Sequence, residues 1–318
     1  RYTERLVSEL ERVALAALAD RRPARLAWSQ GRAGFATNRR VLEEGKWVGF
    51  GAVPEGPVDH DLPVLRVTDP DGKLRAVLLS YASHATTLVG KDNFIHGDWP
   101  GVAQEMIEQR HPGAVAMVTI GAAGDADPSP RGGGIPHVVR NGKEIADEVD
   151  RLLSQPMRPL NAAPKGRLRF LDLPFERVPV REEFERQAEK TGSDALYARA
   201  ILERLNRGER IPATVRYPVQ TWTFGDDLAM VFLGGEVVVD YSRRLKRELD
   251  ASRLWVNAYT NDVAFYVASK RVMAEGGYEV ERSMVYYGHP AKLAPSTEDL
   301  IIRTVHELLP RHFAPSRS

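Results

Sequence analysis

The stretch SYASHATTLVGKDNFIHGDWP, residues 80–100, follows directly on the apolar run LRAVLLSYA that starts at Leu74. A strand patterned for burial therefore ends in Ser83, His84, Thr86 and Thr87, with His96 and Asp98 a short loop further on. Polar residues at the end of a buried strand either cap the turn that follows or face a crevice where ligands bind. The same ending recurs along the chain. AVAMVTIGAAG closes at Asp125, LAMVFLGG at Glu236, and LWVNAYT at Asn261 and Asp262. Four such endings would form one shared site if the strands lie side by side in an open sheet.

The intervening patterns are helical. TERLVSELERVALAALADR opens the chain and breaks before Pro23. A helix is expected from about Pro100 to Arg110 with Asp98 as its cap, and another around NGKEIADEVDRLLSQ. REEFERQAEKTGSDALYARAILERLNRG reads as one broken helix or a helical hairpin, VVVDYSRRLKREL as a helix, and STEDLIIRTVHELL as a capped final helix. Residues 163–180 alternate as a strand does, VRYPVQTWTFGDDLAMVFLGGE forms a hairpin-like pair, and Pro70-Asp71-Gly72 turns one strand into the next. Strands and helices mix without a linker, which predicts a single α/β domain over 1–318, a mixed sheet with flanking helices.

Composition narrows the function. The chain has 318 residues, 43% of them hydrophobic, and a net charge of +1. That balance gives no strong field for nucleic acid or for an anionic membrane surface. Arg243, Arg244, Lys246 and Arg247 fall at helical spacing and read as a solvated helix face. The absence of cysteine removes disulfides, thiolate metal sites and cysteine nucleophiles, leaving imidazole, carboxylate and phenol as metal donors. No apolar run reaches the length of a transmembrane span. The loop GAAGDADPSPRGGG suggests a phosphate cradle but lacks the Gly-Lys-Ser/Thr ending, and its two prolines remove backbone donors.

YASHATTL, residues 81–88, resembles the histidine motif of the neutral ceramidases, an alternating apolar strand ending in histidine, a small residue and threonine. NRR (38–40), PVDHDLPVLRV (57–67), GDWPG (97–101), GAAGDADP (121–128), LGGEVVVDYSRRL (233–245) and NDVAFYVASKRVMAEGGYE (261–279) resemble family blocks in the same order. The last is the most specific, since the family carries two tyrosines at the spacing of Tyr266 and Tyr278. The resemblance implies a zinc-dependent amidohydrolase in which His84, Glu236 and Tyr266 ligate Zn2+ and Tyr278 stabilises the transition state. It also implies a small-molecule or lipid amide substrate such as an N-acyl sphingosine, and a secreted or periplasmic protein.

Two departures qualify what it implies. The family's upstream pair of metal-binding histidines has no counterpart, and the chain enters a helix pattern at Arg1, so the expectation is either a cleaved N-terminal segment that stays bound and supplies a further ligand, or a truncated chain whose zinc site is incomplete. The family's C-terminal immunoglobulin-like domain is not expected, because the chain stops soon after its last helix. In GDADP, Asp127 stands where ceramidases place a serine, and Ser129 lies two positions on. Asp127 reads equally as a general base on water or as ordinary Asp-Pro turn chemistry. Taken alone, His84 reads as a buried histidine, Glu236 as a first-turn acid, and the tyrosines as core aromatics with wetted hydroxyls. Thr86 and Thr87 are expected to orient His84. Alternatives are a zinc hydrolase acting on a non-lipid acylated sugar or peptide-like amide, and a non-catalytic binding module on the same scaffold.

Overall fold

The structure is a computed structural model that describes residues 1–314. Two sheets form its centre. The first contains β1 (Arg25–Arg32), β4 (Asp61–Thr68), β5 (Leu74–Tyr81), β6 (Val115–Ile120) and β8 (Arg158–Leu160), in the order β6-β5-β4-β1-β8. The second contains β9 (Pro164–Pro174), β10 (Thr214–Phe224), β11 (Leu228–Leu233) and β13 (Leu254–Asn257), in the order β13-β11-β10-β9. Most neighbours are antiparallel, but β5 pairs with β6 and β11 with β13 in parallel.

Alternation along the strands builds the layers, because successive side chains point to opposite faces. In the first sheet Val64, Val77, Leu79 and Tyr81 face α2 (Asp98–Arg110) and α3 (Ile135–Leu153), meeting Trp99, Ile107, Ile145 and Val149. On its other face Trp28 and Leu65 meet Phe224, Met230 and Trp255 of the second sheet. The far side of that sheet, through Val219, Val231 and Leu233, packs under α6 (Val239–Glu248) and α9 (Thr297–Leu308) by way of Tyr241, Leu245, Ile301 and Val305. The core is thus helix on sheet on sheet on helix. Each large apolar side chain buried in it contributes about 1.5–3 kcal/mol.

Outside these layers, α4 (Arg181–Ala188) and α5 (Ser193–Asn206) form the helical hairpin around Phe184, Ala198 and Ile201. The opening helix α1 (Tyr2–Ala19) has no buried residue. Among the described residues no helix is long and apolar enough to cross a membrane.

Several local expectations change. β6 is an edge strand with Val115 and Met117 exposed, so its apolar run does not mark central burial. α2 starts at Asp98 itself, which takes a left-handed φ of 50° and accepts the backbone N–H of Leu88 rather than capping the helix from outside. α9 has no side-chain cap. The basic run in α6 is divided: Arg243 and Arg247 are exposed as expected, whereas Lys246 reaches Asp59 and Asp61, and Arg244 reaches Glu248, Glu298 and Asp299.

The two parallel pairs direct the chain to one end of the molecule. Gly121 N–H donates to the carbonyl of Tyr81, and Ala258 N–H to that of Ile120, joining the carboxyl ends of both sheets. Two small sheets fill the crevice there: β2 (Ala36–Glu43) with β3 (Lys46–Val53) and β7 (Ala126–Pro128), and the short parallel pair of β12 (Glu236–Val237) with β14 (Tyr266–Val267). Helix α7 (Lys270–Glu275) packs against β3, and α8 (Ser283–Tyr286) follows the turn at Tyr278–Arg282.

Gly124 is where these pieces touch. Its N–H donates to Val237 O, and a Cβ there would lie 2.5 Å from the carbonyl oxygen of Glu236. Backbone cannot yield as a flexible side chain does. Gly124→Ala is therefore expected to lower stability by about 1–3 kcal/mol in a urea titration, as overpacking does. An unchanged midpoint would show that β12 can shift freely.

Candidate functional site

His84 lies three residues beyond β5 and is held twice by one carbonyl. Its backbone N–H and its Nδ1 approach Ala126 O at 2.9 and 3.1 Å. A carbonyl only accepts, so Nδ1 carries a proton and Nε2 is the ring nitrogen turned toward the site. That atom lies 3.0 Å from Glu236 Oε2, 3.2 Å from the Tyr266 hydroxyl and 3.3 Å from the Tyr259 hydroxyl. The carbonyl of His84 in turn accepts from Trp99 Nε1 at 3.0 Å, which ties it to α2.

Glu236 and Tyr266 meet because they are register partners in the parallel pair of β12 and β14, so their side chains leave the backbone side by side. The sharp entry into β12 is made by Gly235, whose φ is 72° and whose missing Cβ leaves room for Phe265 O. Tyr259 and Tyr287 both donate to Glu236, Tyr259 at 3.2 Å and Tyr287 through a short bond to Oε1. Burial by itself would raise the pKa of Glu236, but the hydrogen bond and charge of His84, with Tyr287 and Tyr266, hold it below the ordinary value. Burial is the largest cause that pushes the Tyr266 and Tyr259 phenols well above theirs.

Arg39 enters from β2 and is 4% exposed. Its Nη1 lies 3.3 Å from Asp127 Oδ1 and 3.4 Å from His84 Nε2, Nη2 donates to the Tyr266 hydroxyl at 3.3 Å, and Nε donates to Glu279 at 3.0 Å. Burial opposes its charge, yet Tyr266, Asp127 and Glu279 outweigh that and raise its pKa. Glu279 is fully buried and accepts from Arg40 as well.

Asp127 is not a solvated turn residue. It sits in β7, and its Oδ1 accepts from Thr86 Oγ1 at 3.1 Å, while Oδ2 is buried with no hydrogen-bond partner and has only Arg131 Nε at 3.5 Å. Thr86 thus orients Asp127 rather than His84, and Thr87 meets Asn141 instead. Tyr278 opens a π-helical turn, Tyr278–Arg282, with its ring edge-on to Tyr266 at 5.5 Å and to Phe50 at 5.2 Å. Beside Asp127 opens a cavity of about 490 Å³, lined among others by Phe50, Val89, Lys91 and Arg131.

Of the four polar strand endings, two meet. Asp125 stands one layer behind, fully buried and bonded to Asn38, the Val239 N–H and Arg271. Asn261 turns away to Gln220, and His96 is exposed in the loop before α2. Arg39, Tyr259, Tyr287 and Glu279 complete the constellation without having stood out as site residues. For Tyr259 a signal existed, since it too follows closely on a buried strand, and Arg39 stood within the NRR block (38–40), although nothing in that block marks it as facing the site.

Among the described residues no three His, Cys, Asp or Glu side chains cluster as metal ligands. A zinc ion would need the phenol of Tyr266 as third donor beside His84 Nε2 and Glu236. One imidazole nitrogen, one carboxylate oxygen and one phenol oxygen, all converging within hydrogen-bonding distance, match zinc's N/O preference and the three protein ligands of a catalytic site. The residues fit, with the guanidinium of Arg39 as a neighbouring positive charge.

No family model matches the chain, and no curated protein matches it. Solved structures of ceramidases share its fold. A ceramidase complexed with C2 superimposes with a TM-score of 0.65 at 19% identity, over 95% of this chain and 56% of that one. The neutral ceramidase from Pseudomonas aeruginosa gives 0.66 at 21% identity, over 96% and 56%. The chain therefore spans little more than half the length of either relative.

Glu279 keeps Arg39 in place, and removing one partner of a buried ion pair strands the other. Glu279→Ala is expected to lower stability by about 3–5 kcal/mol in chemical denaturation. A loss below about 1 kcal/mol, the value of an exposed pair, would show that the two guanidinium groups find water instead.

Proposed function

We propose that this protein is a zinc-dependent hydrolase that cleaves an amide bond in an N-acyl sphingosine or a related N-acyl substrate. The observation that carries the reading is the convergence of His84 Nε2, Glu236 and Tyr266 near a cavity floored by Asp127. The fold shared with ceramidases supports amide hydrolysis as the reaction class.

His84, Glu236 and Tyr266 would hold the ion, with the Ala126 carbonyl fixing the His84 tautomer so that Nε2 is free to ligate. When bound, zinc would supply Lewis acidity, polarising a carbonyl and acidifying water. Arg39 offers a permanent positive charge at a fixed position, suited to an oxyanion developing on the acyl carbon. Asp127, whose Oδ2 has no hydrogen-bond partner, would accept a proton from water as the water oxygen adds to that carbon. It would serve where the resembled family uses serine, so water and not a side chain is the nucleophile. The C–N bond then breaks, and the amine leaves with a proton. Tyr278 would donate a hydrogen bond to the oxyanion from the rim. With a carboxylate at this position, small amides should be better substrates than long-chain ceramides.

Purified protein is expected to take up zinc by elemental analysis, with His84→Ala and Glu236→Ala losing most of it and remaining folded. Tyr278→Phe should keep the metal and lower kcat by about 10²–10³. Full zinc retention in both ligand variants would overturn the ligand set. A protein that neither holds zinc nor turns over any N-acyl amide would be a binding module on the same fold.

Asp127→Asn keeps the shape and removes the base, so hydrolysis of a short N-acyl amine should fall by about 10²–10⁴. An unchanged rate would assign proton transfer to another group.

A further inference from the structure

The cavity beside Asp127 carries three charged side chains, Lys91, Asp127 and Arg131. Asp127 is already engaged by the buried guanidinium of Arg39 and by Thr86. The two cations are differently placed. Arg131 approaches Asp127 only through Nε at 3.5 Å, beyond a normal hydrogen bond, and its side chain is 42% exposed. Its guanidinium lies 5.3 Å from the centre of the Phe50 ring, which supports its plane from one side while Arg39 lies 4.8 Å from the same ring. The next residue is tied down, since Gly132 N–H donates to Thr86 O at 3.2 Å. Lys91 is exposed and meets no carboxylate among the described residues. Phe50, Val89, Pro128 and Pro130 supply apolar wall to the same cavity.

A forked donor braced on an aromatic ring, with a second cation lining the same part-apolar pocket, is an arrangement that binds oxyanions, because guanidinium matches carboxylate and phosphate geometry. We propose that the Arg131–Lys91 pair forms a specificity subsite for an oxyanion, carboxylate or phosphate, carried by the amide substrate a few atoms from its scissile bond. This rests on the hydrolase reading for the position of that bond. The subsite selects an N-acylated amine bearing an acidic group over the neutral N-acyl amine of the same length.

Three probes test it: N-octanoylglycine, phosphorylated N-octanoylethanolamine and neutral N-octanoylethanolamine. Calorimetric Kd values are taken on the protein as purified, with turnover followed in parallel. Either anionic probe should bind about tenfold or more tightly than the neutral one, as expected for a hydrogen-bonded charge pair. The ratio should fall toward one in Arg131→Gln, shrink less in Lys91→Gln, and decline with added salt. The tighter of the two anionic probes identifies carboxylate or phosphate as the preferred group. Equal binding of all three, or a ratio that survives Arg131→Gln, overturns the subsite. Because binding is read directly, a protein that binds the anions selectively but hydrolyses none of the probes contradicts the hydrolase reading and leaves the subsite standing.

Discussion

The carbonyl of Ala126 accepts both the backbone N–H and the ring Nδ1–H of His84, and the site depends on that one acceptor. It ties the end of β5 to the first residue of β7. It sets the imidazole tautomer, so that Nε2 and not Nδ1 faces Glu236 and Tyr266. The next residue in the chain is Asp127, so the group that fixes the histidine also fixes the distance to the carboxylate. A displacement of this peptide would move both together.

Around that contact the protein spends much polar surface on orientation. Arg39, Arg40, Glu279, Glu275, Arg271, Asp125 and Asp240 run as a chain of ion pairs from β2 to the segment 270–279. Taking such charges out of water is costly and rarely adds net stability over an apolar filling. What it does supply is a fixed direction for each guanidinium. Asp125 shows the strain of this arrangement, since burial raises its pKa even though it accepts the Val239 N–H and the amide of Asn38. Arg39 gains the most, because it is aimed at three site groups while Glu279 neutralises it from behind.

The α/β class, most helices and the β10–β11 hairpin were legible from periodicity; of the four strand endings that it grouped, only those at His84 and Glu236 meet. Periodicity reports which face of an element is buried, and here it did so well. It could not show that the strands divide between two stacked sheets, because a strand between two apolar layers reads alike in either arrangement. It also misjudged β6, whose apolar residues lie on a sheet edge. Asn261 and Asp262 share the strand-end pattern of Glu236 but serve the turn that brings Tyr266 back beside it, with Asp262 O accepting from Gly235 N–H. Tyr259 enters the site through a left-handed backbone, φ 55°, that no side-chain pattern announces. Arg39 lay in the quoted NRR block, but its contacts were hidden for a different reason: its partners lie 88, 227 and 240 residues away along the chain.

The central claim is that His84, Glu236 and Tyr266 together hold one zinc ion. Diffraction from zinc-soaked crystals, collected on both sides of the zinc absorption edge, tests it most directly. The account predicts one anomalous peak about 2.0–2.2 Å from His84 Nε2 and from an oxygen of Glu236, with the Tyr266 oxygen completing the set. A peak elsewhere, or none while Arg39 remains against His84 Nε2, would contradict it.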